Sequence, residues 1–247
     1  MSSGTGILVF GHRGASATHP ENTLVAFREA VEQGADGVEL DVRLNAAGEL
    51  IVHHDAWYRD GRTLWDVPLS AAPFGTCDLT AALDACSGLL VNVEVKNSPG
   101  DLGGDHVRHS VDVADAVVDL LDAREWVDRV IVSSFDALTL ERIVERSADL
   151  PTGFLIADLR SGESIIEEIA DRGHQAVHPW DPCVDADLVG RCAAVGLSVN
   201  TWTVNDGARA VELASFGVDA VITDAPDRIL AAVRPGRTGH RGGSRPA

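Results

Sequence analysis

The stretch Gly37-Val38-Glu39-Leu40-Asp41-Val42-Arg43-Leu44-Asn45-Ala46-Ala47-Gly48-Glu49-Leu50-Ile51-Val52-His53 decides how this chain folds. It holds two runs of strand character, residues 37–42 and 49–53, joined only by residues 43–48. A parallel crossover needs a dozen or more residues, so the two runs must form an antiparallel hairpin. Further strand-like runs lie at 7–11, 89–95, 129–133, 153–156, 175–178, 197–202 and 218–223. Amphipathic segments of helical spacing lie at 22–33, 79–86, 105–123, 136–147, 162–172, 185–194, 206–216 and 226–233. Counted with the hairpin as one unit, the chain has eight β–α units in about 230 residues, which implies an α/β fold, a (β/α)8 TIM barrel. An open doubly wound sheet is the alternative, but no Gly-x-Gly-x-x-Gly turn follows any strand.

The 247 residues, 45% of them hydrophobic, suffice for one large core. They are expected to form a single domain over residues 1–233, followed by a basic, disordered tail, 234–247. Cys77, Cys86, Cys183 and Cys192 are too far apart for a short-spaced zinc or redox pair and suit buried thiols in a reducing compartment. A net charge of −18 argues against nucleic acid and anionic lipid as partners. The first six residues contain no basic residue, and no run approaches the roughly 18 apolar residues of a membrane span. The expectation is therefore a cytoplasmic protein without signal peptide or membrane anchor; the sequence says nothing of its oligomeric state. Asn22, Asp136, Ser161 and Asn205 stand where helix N-caps are expected, and residues 97–104 read as a loop above a strand end.

In a barrel the chemistry lies at the C-terminal ends of the strands. Glu39 and Asp41 are two apart and share one face of their strand. Two inward carboxylates repel each other unless something compensates, either arginines or a cation. Glu94, at the same mouth, makes three oxygen donors with no cysteine, a set for a hard divalent cation such as Mg2+ or Ca2+. Arg13 and Lys96 stand beside them, able to neutralise the carboxylates or to hold a phosphate. Lys96 is the only lysine among 20 basic residues, which favours a need for an ammonium there. His12 and His54 stand at strand ends and can serve as base and acid. His53 alternates to the other face and is read as structural. The hairpin should bring residue 54 back to about the level of Glu39.

These residues fall in motifs that resemble the glycerophosphodiester phosphodiesterase family. Gly11-His12-Arg13-Gly14-Ala15 with Pro20-Glu21-Asn22-Thr23-Leu24-Val25-Ala26-Phe27 is similar to its opening signature, and residues 34–42 fit its second. His54-Asp55, Asn92-Val93-Glu94-Val95-Lys96, Val132-Ser133-Ser134-Phe135, Trp202-Thr203-Val204-Asn205 and residues 217–224 follow in the family's order. The resemblance implies a metal-dependent phosphodiesterase acting on a small-molecule diester. It carries His12 and His54 over as the acid–base pair, with His12 leaning to base. Glu39, Asp41 and Glu94 become metal ligands, and Arg13 and Lys96 phosphate contacts. Glu21 and Asn22 become substrate contacts, with a helix cap the alternative role for Asn22. Trp202, Phe135 and Trp180, which stand at strand ends, are expected to form an apolar wall for the glycerol carbons, with packing of the mouth as the alternative. Residues 55–79 depart from the family, being shorter than its usual insertion, which bears on substrate choice. A related phospholipase D-type enzyme, acting on lysophospholipid or sphingomyelin, is the alternative activity; a non-catalytic barrel would need a broken constellation.

Overall fold

The computed structural model describes residues 6–97, 105–158 and 165–236. Its strands are β1 (Leu8–His12), β2 (Gly37–Leu44), β3 (Leu50–Val52), β4 (Cys77–Asp78), β5 (Leu90–Val95), β6 (Val130–Ser134), β7 (Thr152–Ile156), β8 (Ala176–Pro179), β9 (Ser198–Trp202) and β10 (Ala220–Thr223). Its helices are α1 (Leu24–Glu32), α2 (Leu79–Ala85), α3 (His106–Ala123), α4 (Ala137–Arg146), α5 (Ile165–Asp171), α6 (Ala186–Ala194), α7 (Gly207–Phe216) and α8 (Pro226–Val233). All strands but β3 and β4 pair in parallel, and β1 contacts both β10 and β2, so the eight close into a barrel. The expected hairpin is present: Val42 faces Val52, Leu44 faces Leu50, and the His53 amide donates to the Asp41 carbonyl at 3.0 Å. β4, too short to register as a pattern, adds a third antiparallel strand against β3.

β2 is buried along all eight residues because its upper half lies under this ribbon. The ribbon's own small core is Ile51, Tyr58, Leu64 and Val67, so segment 55–79 folds onto the barrel. The outer helices bury one stripe each; in α3 it is Val113, Ala114, Val117, Val118 and Leu121. Asp78, Asp105, Asp136, Asp185 and Asp206 each cap a helix by accepting an early backbone N–H, a use for part of the acidic excess.

Asp136 therefore caps as expected, whereas Asn22 and Asn205 do not. Thr23 caps α1 and Asp206 caps α7, one residue later in each case, which frees both asparagine side chains for the barrel mouth. Ser161 and residues 98–104 lie outside the described residues, as does the tail from 237. The tail's first residue, Arg234, is fixed: its guanidinium grips both Asp36 carboxylate oxygens, at 3.0 and 2.6 Å, and donates to the Ile7 carbonyl.

Candidate active site at the barrel mouth

The turn after β1 sets the first group of residues. Gly14 has φ +85°, and a Cβ there would lie 2.6 Å from the Ala26 backbone, so only glycine fits between the turn and α1. Arg13 and Asn22 both take the left-handed conformation, φ 55°, rare for residues with a side chain. At Arg13 this aims the backbone N–H at Glu39 Oε2, 2.8 Å away, while Nε lies 3.2 Å from Asp41 Oδ2. Asn22, 5% exposed, donates from Nδ2 to Asp41 Oδ2 at 2.7 Å and accepts the Asp41 N–H at 3.2 Å. It orients a carboxylate and caps nothing.

Glu39, Asp41 and Glu94 converge as expected. All three are buried, and they offer carboxylate oxygens within 4.8 Å of one another. Lys96 Nζ touches Glu94 Oε1 and lies 3.3 Å from Asp41 Oδ1. The two cations therefore do neutralise carboxylates, chiefly Asp41 and Glu94. Burial would raise the Asp41 pKa, but Lys96 and Arg13 hold it below the usual carboxylate value. Glu39 is pushed up to about 8 by burial and the charge of Asp41. Glu94 is also raised, by burial that Lys96 opposes. Glu39 Oε1 is buried with no hydrogen-bond partner. An orphaned carboxylate oxygen beside two more carboxylates, all donors being oxygen, fits a hard divalent cation.

Both candidate imidazoles are backed by aspartate. His12 Nδ1 lies 2.7 Å from Asp224 Oδ1, and His54 Nδ1 lies 2.7 Å from Asp55 Oδ1. Asp224 is held at about 2 by that hydrogen bond first and stays ionised, and Asp55 is lowered by its bond to His54. A carboxylate can only accept, so each Nδ1 carries the proton and each Nε2 is left for chemistry. Burial would lower the His12 pKa, but the Asp224 bond and the charge of Glu39 raise it. His54 is lowered, by burial first, with Lys96 and Arg13 adding to it against Asp41. His53 instead meets the Asp55 carbonyl and the Tyr58 ring, as its structural reading expects.

One cavity of about 180 Å3 gathers His12, Arg13, Glu39, His54, Glu94 and Lys96. Phe135 and Trp202 form its apolar side, ring centroids 5.8 Å apart, and Leu155 and Ile222 extend it. Trp180, expected in that wall, is not part of the lining; its backbone bridges to Trp202 and its side chain is exposed. Glu21 is outside too: it holds Arg13 Nη1 at 2.9 Å and lines a neighbouring open groove with Ser16, Asn205, Asp224 and Arg228.

Two residues without a role in the sequence reading emerge here. Asp224 stands at a strand end, as the other site residues do, but no role followed from that position alone; it also accepts from Ser16 Oγ at 3.0 Å and Asn205 Nδ2 at 2.6 Å. Arg43 bonds the His54 carbonyl at 2.8 Å and the Lys96 carbonyl at 3.3 Å, tying the hairpin to the end of β5. A cation inside Val42-Arg43-Leu44 was the available signal.

Fold and site define a barrel whose mouth joins three buried carboxylates, a donor set that fits a hard cation, to two carboxylate-backed imidazoles, the kind of arrangement hydrolases use. A family model, the glycerophosphoryl diester phosphodiesterase family, matches residues 12–228, and the chain belongs to that family of phosphoric diester hydrolases. A glycerophosphodiester phosphodiesterase of Caldanaerobacter subterraneus subsp. tengcongensis is 29% identical, over 93% of this chain and 98% of that one. A phosphodiesterase from Oleispira antarctica, solved with the product sn-glycerol-3-phosphate, superposes with TM-score 0.80 at 26% identity, covering 92% and 96% of the two chains. The Thermotoga maritima glycerophosphodiester phosphodiesterase superposes with TM-score 0.76 at 27% identity, covering 92% and 97%. No helix among the described residues is long and apolar enough to cross a membrane.

Proposed function

We propose that this chain hydrolyses glycerophosphodiesters to glycerol 3-phosphate and the free alcohol, using Mg2+ or Ca2+ held by Glu39, Asp41 and Glu94. The observation that carries this is one cavity in which an orphaned buried carboxylate oxygen, two cationic side chains and two aspartate-backed imidazoles meet. When bound, the cation supplies Lewis-acid polarisation of the phosphoryl group. Arg13 and Lys96 spend only some of their N–H donors on Asp41, Glu94 and Glu21, and offer the rest to charge building on phosphoryl oxygens.

His12 takes the proton of the attacking hydroxyl at Nε2, whether that hydroxyl belongs to water or to the substrate's own glycerol; in the second case a cyclic phosphate forms as the alcohol leaves, and water then opens it to glycerol 3-phosphate. The strand register sets it beside Glu39, at the edge of the cation site. His54 gives a proton to the leaving oxygen. The directions of the shifts suit these roles, since a raised pKa makes a stronger base and a lowered one a stronger acid. Phe135, Trp202, Leu155 and Ile222 give the cavity an apolar side that covers the glycerol carbons.

The four cysteines are all free, which suits the reducing cytoplasm in which we place the protein, as one domain over residues 1–233. A second reading, action on lysophospholipid, is favoured by Trp57 and Phe74, apolar side chains exposed on segment 55–79. A panel of soluble diesters and micellar lysophospholipid, with products identified, tests both. Release of glycerol 3-phosphate from soluble diesters supports the first, and turnover confined to micelles replaces it with the second.

A further inference from the structure

The cavity lining includes Asn92, which the mechanism above does not use. Asn92 is 2% exposed, and neither its amide nitrogen nor its carbonyl oxygen has a hydrogen-bond partner. A buried amide left unpaired costs free energy, and native proteins rarely leave both of its ends empty. Its place is set by strand pairing. Asn92 lies beside Glu39 across β2 and β5, and two residues before Glu94 on the same face of β5. Glu39 Oε1, also buried without a hydrogen-bond partner, belongs to that neighbouring pair. Ser133 Oγ and His178 Nδ1 are also buried without partners, but neither residue lines the cavity.

We propose that Asn92 supplies, through Oδ1, a fourth protein oxygen to the cation held by Glu39, Asp41 and Glu94. The inference rests on the metal-dependent reading given above. Amide carbonyls are ordinary ligands of Ca2+, which takes six to eight oxygens, so three carboxylates alone leave positions open. A neutral oxygen at this point adds a ligand without adding a fourth like charge to three carboxylates already buried together. The amide N–H group, without a partner here, remains available to a neighbouring carboxylate.

The test is calorimetric titration of EDTA-stripped protein with Ca2+ and with Mg2+, on the wild type, Asn92→Leu and Asn92→Asp. Asn92→Leu should weaken Ca2+ binding by roughly 10–100-fold, the usual scale for losing a group that supports a metal site. Its melting temperature in EDTA should hold or rise, because an apolar group of similar volume replaces an unsatisfied amide. Asn92→Asp keeps an oxygen at the position and should keep affinity within a few-fold. Should Asn92→Leu fail to fold, Asn92→Ala is read in the same way. Wild-type Ca2+ affinity in Asn92→Leu overturns the inference. So does equal loss in Asn92→Asp, which would assign the role to the N–H donors. A wild type that binds neither ion removes the metal-dependent reading itself, so the two failures are distinguishable.

Discussion

Replacing Asp224 by Asn removes the charge behind His12 while keeping the shape of the side chain. Asp224 receives three hydrogen bonds, from His12, Ser16 and Asn205, at 2.7, 3.0 and 2.6 Å. An amide has one acceptor oxygen for three donors, so one donor loses its partner or the imidazole adopts the wrong tautomer. A hydrogen bond to a charged group contributes about 1.5–3 kcal/mol. The Asp224 side chain is 34% exposed, so solvent screening favours the lower end of that range. Taken as about 1.5–2 kcal/mol, the loss is about ten- to thirtyfold in kcat/KM. The pH profile moves as well. His12 is raised by Asp224 and Glu39 and must be unprotonated to act as base, so its limb lies at the acid side of the profile. Without Asp224 that limb moves to lower pH, because burial, which lowers the pKa, is then less opposed. The assay is kcat/KM against pH for release of glycerol 3-phosphate, with the His12 ring followed by NMR titration. A variant of near-wild-type rate whose acid limb has not moved would refute the claim that Asp224 acts through His12.

Lys96→Arg keeps the charge but puts a planar fork where Nζ now sits against Glu94, 3.3 Å from Asp41 and 5.9 Å from the Phe135 ring centre. We expect roughly a tenfold loss in kcat/KM, about 1.4 kcal/mol, and unchanged kinetics would mean that any cation serves there. His12→Ala and His54→Ala should each lose roughly 10²–10⁴ in kcat, with melting temperature nearly unchanged and His53→Ala close to wild type. A diester with a p-nitrophenol leaving group should rescue only His54→Ala, and rescue of His12→Ala instead would exchange acid and base. Because Glu39 titrates near 8 in the metal-free protein and must lose its proton to bind a cation, binding at pH 7 should release protons. Cation affinity should therefore rise with pH until about 8, and calorimetry in buffers of different ionisation enthalpy reads both effects. PH-independent affinity would contradict the burial and charge crowding assigned to Glu39.

The barrel was legible because its signal is a count, and one short loop, residues 43–48, is what makes the count come out at eight. The carboxylates were legible because a strand has period two: Glu39 and Asp41 had to share a face, and Glu94 sits two residues from the lone lysine. What escaped depends on neighbours brought together by closure of the barrel. His12 and Asp224 are 212 residues apart and meet only because β1 and β10 pair. Asn22 looked like a helix cap because asparagine before a helix usually is one; the cap fell one residue later, on Thr23, and the left-handed backbone turned Asn22 toward Asp41. Trp180 was placed in the cavity by its strand end and Glu21 by motif position, whereas neither lines it.

Chelation and reconstitution decide whether three buried carboxylates make this barrel a metal-dependent phosphodiesterase. Purified protein, stripped with EDTA and dialysed, is given a soluble glycerophosphodiester, and glycerol 3-phosphate is measured before and after Mg2+ or Ca2+ is returned. The stripped enzyme should show no turnover, activity should return with at least one of the two ions, and the melting temperature should rise as the ion is titrated. Full turnover by the stripped enzyme would contradict a metal-dependent mechanism.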